Sequence, residues 1–216
     1  MATEKNKLEL YFEWWLLEAK SHGFVKDFAR EPEVITICEP AKYGRYKRFK
    51  TKEKEVEHFS LFQKVETEYD YIIEWDERAE YLFYEEVLPG SIFQFGRPIF
   101  IAHRLEDQDK IVSYIDVKPT NSVFRAGGKV SSAITFPLKQ RMLWDSQRLY
   151  INKVIPMPMS GAGFKSALFI KTFVPQRYLM TDGGQQARKI KWPYKDLKEY
   201  VNTRTEYINN LLKNTV

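Results

Sequence analysis

The run KIVSYIDVKP, residues 110–119, decides the fold. Ile111, Val112, Tyr114, Ile115 and Val117 give it the β-branched and aromatic character of a strand, which Lys118-Pro119 ends. Side chains alternate along a strand, so Asp116 and Lys118 share one face and bring a carboxylate and an ammonium to the same place. Working upstream, Phe59–Val65 and Tyr69–Trp75 (YDYIIEW) read as two adjacent strands. Between them and residue 110 the chain holds Pro89, Gly90, Gly96 and Pro98, and residues 76–109 are expected to form an irregular insertion.

Further upstream, Leu8, Tyr11, Phe12, Trp15, Leu16 and Ala19 recur at helical spacing, which predicts an amphipathic helix over residues 3–22 ending at Gly23. Val34–Ile37 reads as a strand, and the stretch from Lys42 to Lys54 (KYGRYKRFKTKEK) as a basic, exposed loop or hairpin edge. Downstream, TNSVFRAGGKVSS is a turn-rich linker. Residues 134–149 suit a helix with Pro137 in its first turn. YINKVIPM and LFIKTFV are expected strands separated by a loop with Gly161 and Gly163, and a terminal helix is expected over residues 193–213. The order is α/β: one domain with a central mixed β-sheet flanked by helices, and a C-terminal extension over about residues 160–216.

Composition narrows the function classes. Of 216 residues 44% are hydrophobic, enough for a substantial core. Thirty-four Lys and Arg against twenty-nine Asp and Glu leave a net charge of +5, which favours a polyanionic partner. The single cysteine, Cys38, rules out an internal disulfide and a zinc cage of several thiolates. His22, His58 and His103 have no metal-ligand spacing. No stretch approaches the roughly 20 apolar residues of a membrane span, so a soluble, cytoplasmic protein is expected.

A hard cation such as magnesium is held by one or two carboxylates with waters and phosphate oxygens, so Asp116 needs a second acid from a neighbouring strand. Asp70 can supply it. With Lys118 beside them, the metal would activate an attacking water and neutralise charge on a scissile phosphate, which is phosphodiester hydrolysis.

YDYIIEW, YIDVKP and the helix FPLKQRMLW resemble the core of the PD-(D/E)xK nuclease superfamily, particularly small endonucleases of phages and mobile elements with a Holliday-junction-resolvase-like core. The resemblance covers about residues 8–155 and the later LFIKTFVPQRYLMT. Tyr69 stands where that family usually has proline. It implies a restriction-endonuclease-like fold and a Mg2+-dependent DNA endonuclease, with Mn2+ able to substitute. Asp70 and Asp116 match the metal-binding acids, Lys118 the catalytic lysine and Glu9 the first-helix glutamate used as a further metal ligand or base. Gln140 resembles a glutamine placed beside the substrate. DNA is the implied partner, with the host cytoplasm the compartment if the chain is viral, and cutting both strands usually implies a homodimer.

Plainer readings stand beside these. Asp116 and Lys118 could be an exposed edge-strand charge pair, Asp70 a turn residue and Glu9 a solvated helix position. Lys47, Arg48 and Lys50, expected to contact phosphates, could belong to a solvated face, as could Arg188, Lys189 and Lys191 with Trp192. Two other classes remain: a nucleic-acid-binding protein that hydrolyses nothing, and a phage structural or assembly protein. The latter would use the terminal helix, through Leu197, Tyr200, Val201, Tyr207, Ile208 and Leu211, as its interface.

Overall fold

Helix α1 (Lys7–Ser21) turns Phe12, Trp14, Trp15, Leu16 and Ala19 into the core. It closes as a Schellman motif: Gly23 takes φ of 77°, its N–H donates to the Lys20 carbonyl, and the Phe24 N–H donates to that of Ala19. A side chain at Gly23 would also meet the Arg78 guanidinium, which donates to the Gly23 carbonyl at 2.9 Å. The computed structural model describes residues 7–30, 33–48, 54–87, 95, 98–118, 132–156, 168–180 and 186–214. The 120–132 linker and the loop with Gly161 and Gly163 fall almost wholly outside them.

The sheet that α1 covers is built around β9 (Lys110–Val117). On one side β6 (Tyr71–Trp75) runs antiparallel to it, and β1 (Val25–Ala29) antiparallel to β6. On the other side β9 has two partners in succession. Its first half pairs antiparallel with β8 (Phe100–Leu105), which in turn carries the parallel β7 (Tyr84–Glu86). Its second half pairs in parallel with β10 (Ile151–Val154), reached through helix α2 (Ser132–Gln147) as a parallel crossover requires. Residues 76–109 are therefore not wholly irregular, since buried Phe100 and Ala102 alternate along β8 and fix it to the sheet. Trp75 Nε1 donates to Ser113 Oγ at 2.9 Å and Ser113 Oγ donates to the Ile101 carbonyl at 2.8 Å, tying β6, β9 and β8 across the interior.

Between β1 and β6 the chain leaves the sheet as a long hairpin in two ladders. β2 (Glu33–Cys38) pairs with β5 (Val65–Tyr69), and beyond them β3 (Ala41–Arg48) pairs with β4 (Lys54–Phe62). The basic stretch is thus a strand pair. Two expected elements change character. LFIKTFV forms a short helix α3 (Leu168–Lys171), because an apolar run buried on several sides has no period that separates strand from helix. Helix α2 starts at Ser132, so Pro137 lies in its second turn instead of its first.

After α4 (Gln176–Leu179), helix α5 (Leu197–Asn214) begins four residues later than expected, where the Asp196 carboxylate accepts from the Glu199 N–H at 2.8 Å. Leu197 and Tyr200 are buried in the chain's own core, the Tyr200 hydroxyl donates to the Leu82 carbonyl, and Arg204 donates to that of Tyr81. Leu197 and Tyr200 are therefore not free to serve as an interface, whereas Tyr207 is exposed. Among the described residues no helix is long and apolar enough to cross a membrane.

Candidate active site

The C-terminal end of β9 carries the candidate chemistry. Asp116 is 4% exposed on an interior strand, not on an exposed edge, and its Oδ1 accepts from Lys118 Nζ at 2.7 Å. Asp70 sits at the bend between β5 and β6. Its N–H donates to the Ile115 carbonyl and its Oδ2 accepts from the Val117 N–H, both at 2.7 Å. The β6–β9 ladder ends at the Tyr71–Ile115 pair, where the chain turns off into β5. The Asp70 side chain then supplies the acceptor that a continued strand would have offered to Val117. One structural role therefore aims the carboxylate at Asp116.

Both acids open into a cavity of about 390 Å³, with Lys118 in the same wall. Glu66, Thr67 and Glu68 of β5 form one side, and Thr135, Phe136 and Lys139 of α2 the other. Lys139 Nζ donates to the Glu66 carbonyl at 2.6 Å and holds the two sides together. Burial pushes the Asp116 carboxyl up to about 6; the neighbouring Asp70 adds to that rise, and the Lys118 ammonium opposes it. A buried carboxyl raised towards neutrality, beside a second acid and a lysine in a cavity, is a common mark of a functional site.

The other sequence candidates lie elsewhere. Glu9 pairs with Arg30 at 2.5 Å and is not among the residues lining the acid cavity; its carbonyl accepts from the Tyr71 hydroxyl. Gln140 is one residue beyond Lys139 on α2 and lines a different cavity, where its Oε1 accepts from the Ile151 N–H at 3.1 Å. Lys47 and Arg48 occupy adjacent positions on β3 and so fall on opposite faces of the hairpin, while Lys50 lies outside the described residues. The register sets Arg45 opposite Glu57 and Lys47 opposite Glu55 on one face. On the other face it sets Lys42 opposite Ser60, Gly44 opposite His58, Tyr46 opposite Val56 and Arg48 opposite Lys54. All the acids of these register pairs fall on the first face.

Arg188 lies over the rings of Tyr11 and Tyr178 and donates to the Met180 carbonyl, so it braces the C-terminal segment. His103, given no role from sequence, accepts from the Tyr150 N–H at 3.0 Å, and burial keeps its pKa below the usual histidine value. Sequence reasoning missed Thr135 and Lys139. Their spacing of four on the predicted helix places them on one stripe, and that stripe was the available signal.

As a metal site, the donor set amounts to two close carboxylates. Among the described residues no three His, Cys, Asp or Glu side chains gather into a metal-holding group. Two carboxylates suit a magnesium ion that keeps waters and takes substrate oxygens for its remaining positions, and suit zinc poorly. Comparison with family models, with curated proteins and with solved structures gives no match in any of the three.

Proposed function

We propose that the chain is a metal-dependent DNA endonuclease with a PD-(D/E)xK-type site formed by Asp70, Asp116 and Lys118. The observation that carries this reading is the buried Asp116 carboxyl, bonded to Lys118 and next to Asp70 in an open cavity. The placement of Asp70 at the start of β6 and of Asp116 on β9, neighbouring antiparallel strands, with α2 leading from β9 to a parallel β10, also supports it.

Asp70 and Asp116 would hold Mg2+, which when bound supplies a Lewis acid for a phosphate oxygen and a more acidic water. The protein's own contribution is positioning and charge. Asp70 is fixed by the Val117 N–H, so its second oxygen is kept in register with Asp116. Lys118 is half-exposed at the cavity wall and can donate a hydrogen bond to a phosphate oxygen or to the attacking water. The face of the β3–β4 ladder whose register pairs include no acid, with Lys42, Arg48 and Lys54, offers positive charge to a phosphate backbone. It springs from β2 and β5, and β5 itself walls the cavity.

The test is incubation of the purified protein with plasmid, linear and four-way-junction DNA in Mg2+ and in EDTA. Cleavage that needs the metal and is lost in Asp116→Ala supports the reading. Absence of cleavage on every substrate, with DNA binding retained, would leave a nucleic-acid-binding protein that hydrolyses nothing.

A further inference from the structure

The larger of the cavities beside α2, about 640 Å³, lies on the other side of Phe136 from the two acids. Its described wall holds three cations, Arg141, Lys153 and Lys171, with the aromatic residues Phe136, Trp144 and Tyr150, and no carboxylate. Such a wall disfavours a cationic ligand and suits a planar group that bears negative charge. Two amides in the wall behave differently. Asn152 is fully used, accepting from the Ile101 N–H and donating to the Ile101 and Tyr114 carbonyls. Gln140 spends its oxygen on the Ile151 N–H, while its buried Nε2 has no hydrogen-bond partner. A buried amide N–H left unpaired costs about 1–3 kcal/mol; Nε2 has no open surface of its own, so an acceptor in the cavity pairs with it by turning the amide towards the opening.

We infer that this cavity receives one nucleotide of a nucleic-acid strand, with the base taken into the aromatic wall and its phosphate held by Lys153, Arg141 being shared with Asp145 at 3.8 Å. The inference rests on the endonuclease reading for the identity of the strand. Every nucleobase carries a carbonyl oxygen or a ring nitrogen able to accept from Gln140 Nε2, and every base has a π-face to stack on an aromatic ring. The volume lies inside the roughly 300–1,000 Å³ of small-ligand sites. Lys153 Nζ lies 5.9 Å from the centre of the Phe136 ring, which places a cation and an aromatic face together at one edge of the cavity. Phe136 also lines the acid cavity, so a strand with its phosphate at Asp70 and Asp116 has a neighbouring nucleotide beside this second opening. The occupant is then an unpaired nucleotide next to the cleavage point, as at a frayed end, a flap or a distorted duplex.

Titration calorimetry in EDTA tests this with deoxyadenosine monophosphate, deoxyadenosine and inorganic phosphate as separate ligands. The monophosphate should bind more tightly than either part alone. Gln140→Met removes the N–H2 group without adding charge, and Lys153→Ala removes a cation from a partly exposed strand position. Each should weaken the monophosphate by about fivefold or more, one hydrogen bond or charge contact being worth about 1 kcal/mol. Equal binding of phosphate and the monophosphate, or unchanged affinity in both wall variants at intact melting temperature, would overturn the inference. Because metal is absent, the two proposals fail separately: DNA cleavage without nucleotide binding sinks this one alone, and nucleotide binding without cleavage sinks the endonuclease.

Discussion

Helix α2 presents Thr135 and Lys139 to one cavity and Gln140, Arg141 and Trp144 to another, with Phe136 in the wall of both. The first cavity concentrates carboxylates: Asp70 and Asp116 meet there beside Lys118, and burial makes the second of them hard to ionise. The second holds cations and aromatic rings without an acid in its described wall. A helix that turns about 100° per residue can thus serve two unlike environments through adjacent positions, Lys139 facing the acid cavity and Gln140 the aromatic one.

The largest effects are expected at the acids and their lysine. Asp116→Ala and Lys118→Ala are each expected to lower cleavage by on the order of 10³-fold or more with secondary structure retained, measured as single-turnover rates and circular dichroism. Cleavage at the wild-type rate in either purified variant removes these residues from the chemistry.

Asp70 sharpens the contrast because it has two jobs. Asp70→Asn keeps an oxygen for the Val117 N–H and should lose cleavage while nearly preserving the melting temperature. Asp70→Ala orphans that N–H and should cost a further 1–3 kcal/mol or so in denaturant titration. Equal stability of the two variants would mean that the Val117 bond contributes nothing.

The pH dependence follows from Asp116. Its folded-state pKa, about 6, lies above the unfolded value, so the folded protein holds the extra proton between about pH 4 and 6. Stability from this group is full below the unfolded pKa and is lost as pH rises through the folded one. In metal-free buffer the wild type should therefore lose stability over that window relative to Asp116→Asn, by a few kcal/mol at most, and added Mg2+ should offset the loss. Parallel stability curves for the two proteins would contradict the buried-acid account.

The smallest effect is expected on the hairpin. Replacing Lys42, Arg48 and Lys54 by alanine should weaken duplex binding and flatten its dependence on log salt by about 0.9 for each phosphate that is no longer neutralised. Replacing Arg45 and Lys47, which stand opposite Glu57 and Glu55 in the register, should change the slope less. An equal change in both variants would erase the distinction between the faces.

Much of this was legible in the sequence. Alternation in IVSYIDV placed Asp116 and Lys118 together, and the spacing in α1 marked Phe12, Trp15, Leu16 and Ala19 of its buried face but not Trp14. Pairing was not legible. Nothing local tells that β9 takes two successive partners on one edge, because that depends on where β8 ends and β10 begins. The site was half legible for a related reason. Asp70 belongs to it through a side chain replacing a backbone acceptor at a bend, and Lys139 through a bond to the Glu66 carbonyl 73 positions away. Glu9 was drawn off by Arg30, a partner that no spacing rule singles out.

The two-ladder hairpin has a consequence for how the chain can vary. In its outer ladder, β3 with β4, the register pairs sort charge by residue parity, so that ladder can grow or shrink by two residues on each strand and keep the sorting. A single inserted residue would exchange the faces beyond it. Homologous arms should accordingly differ in length by even steps, whereas the foot of the arm, where β5 hands over to Asp70, tolerates no step at all.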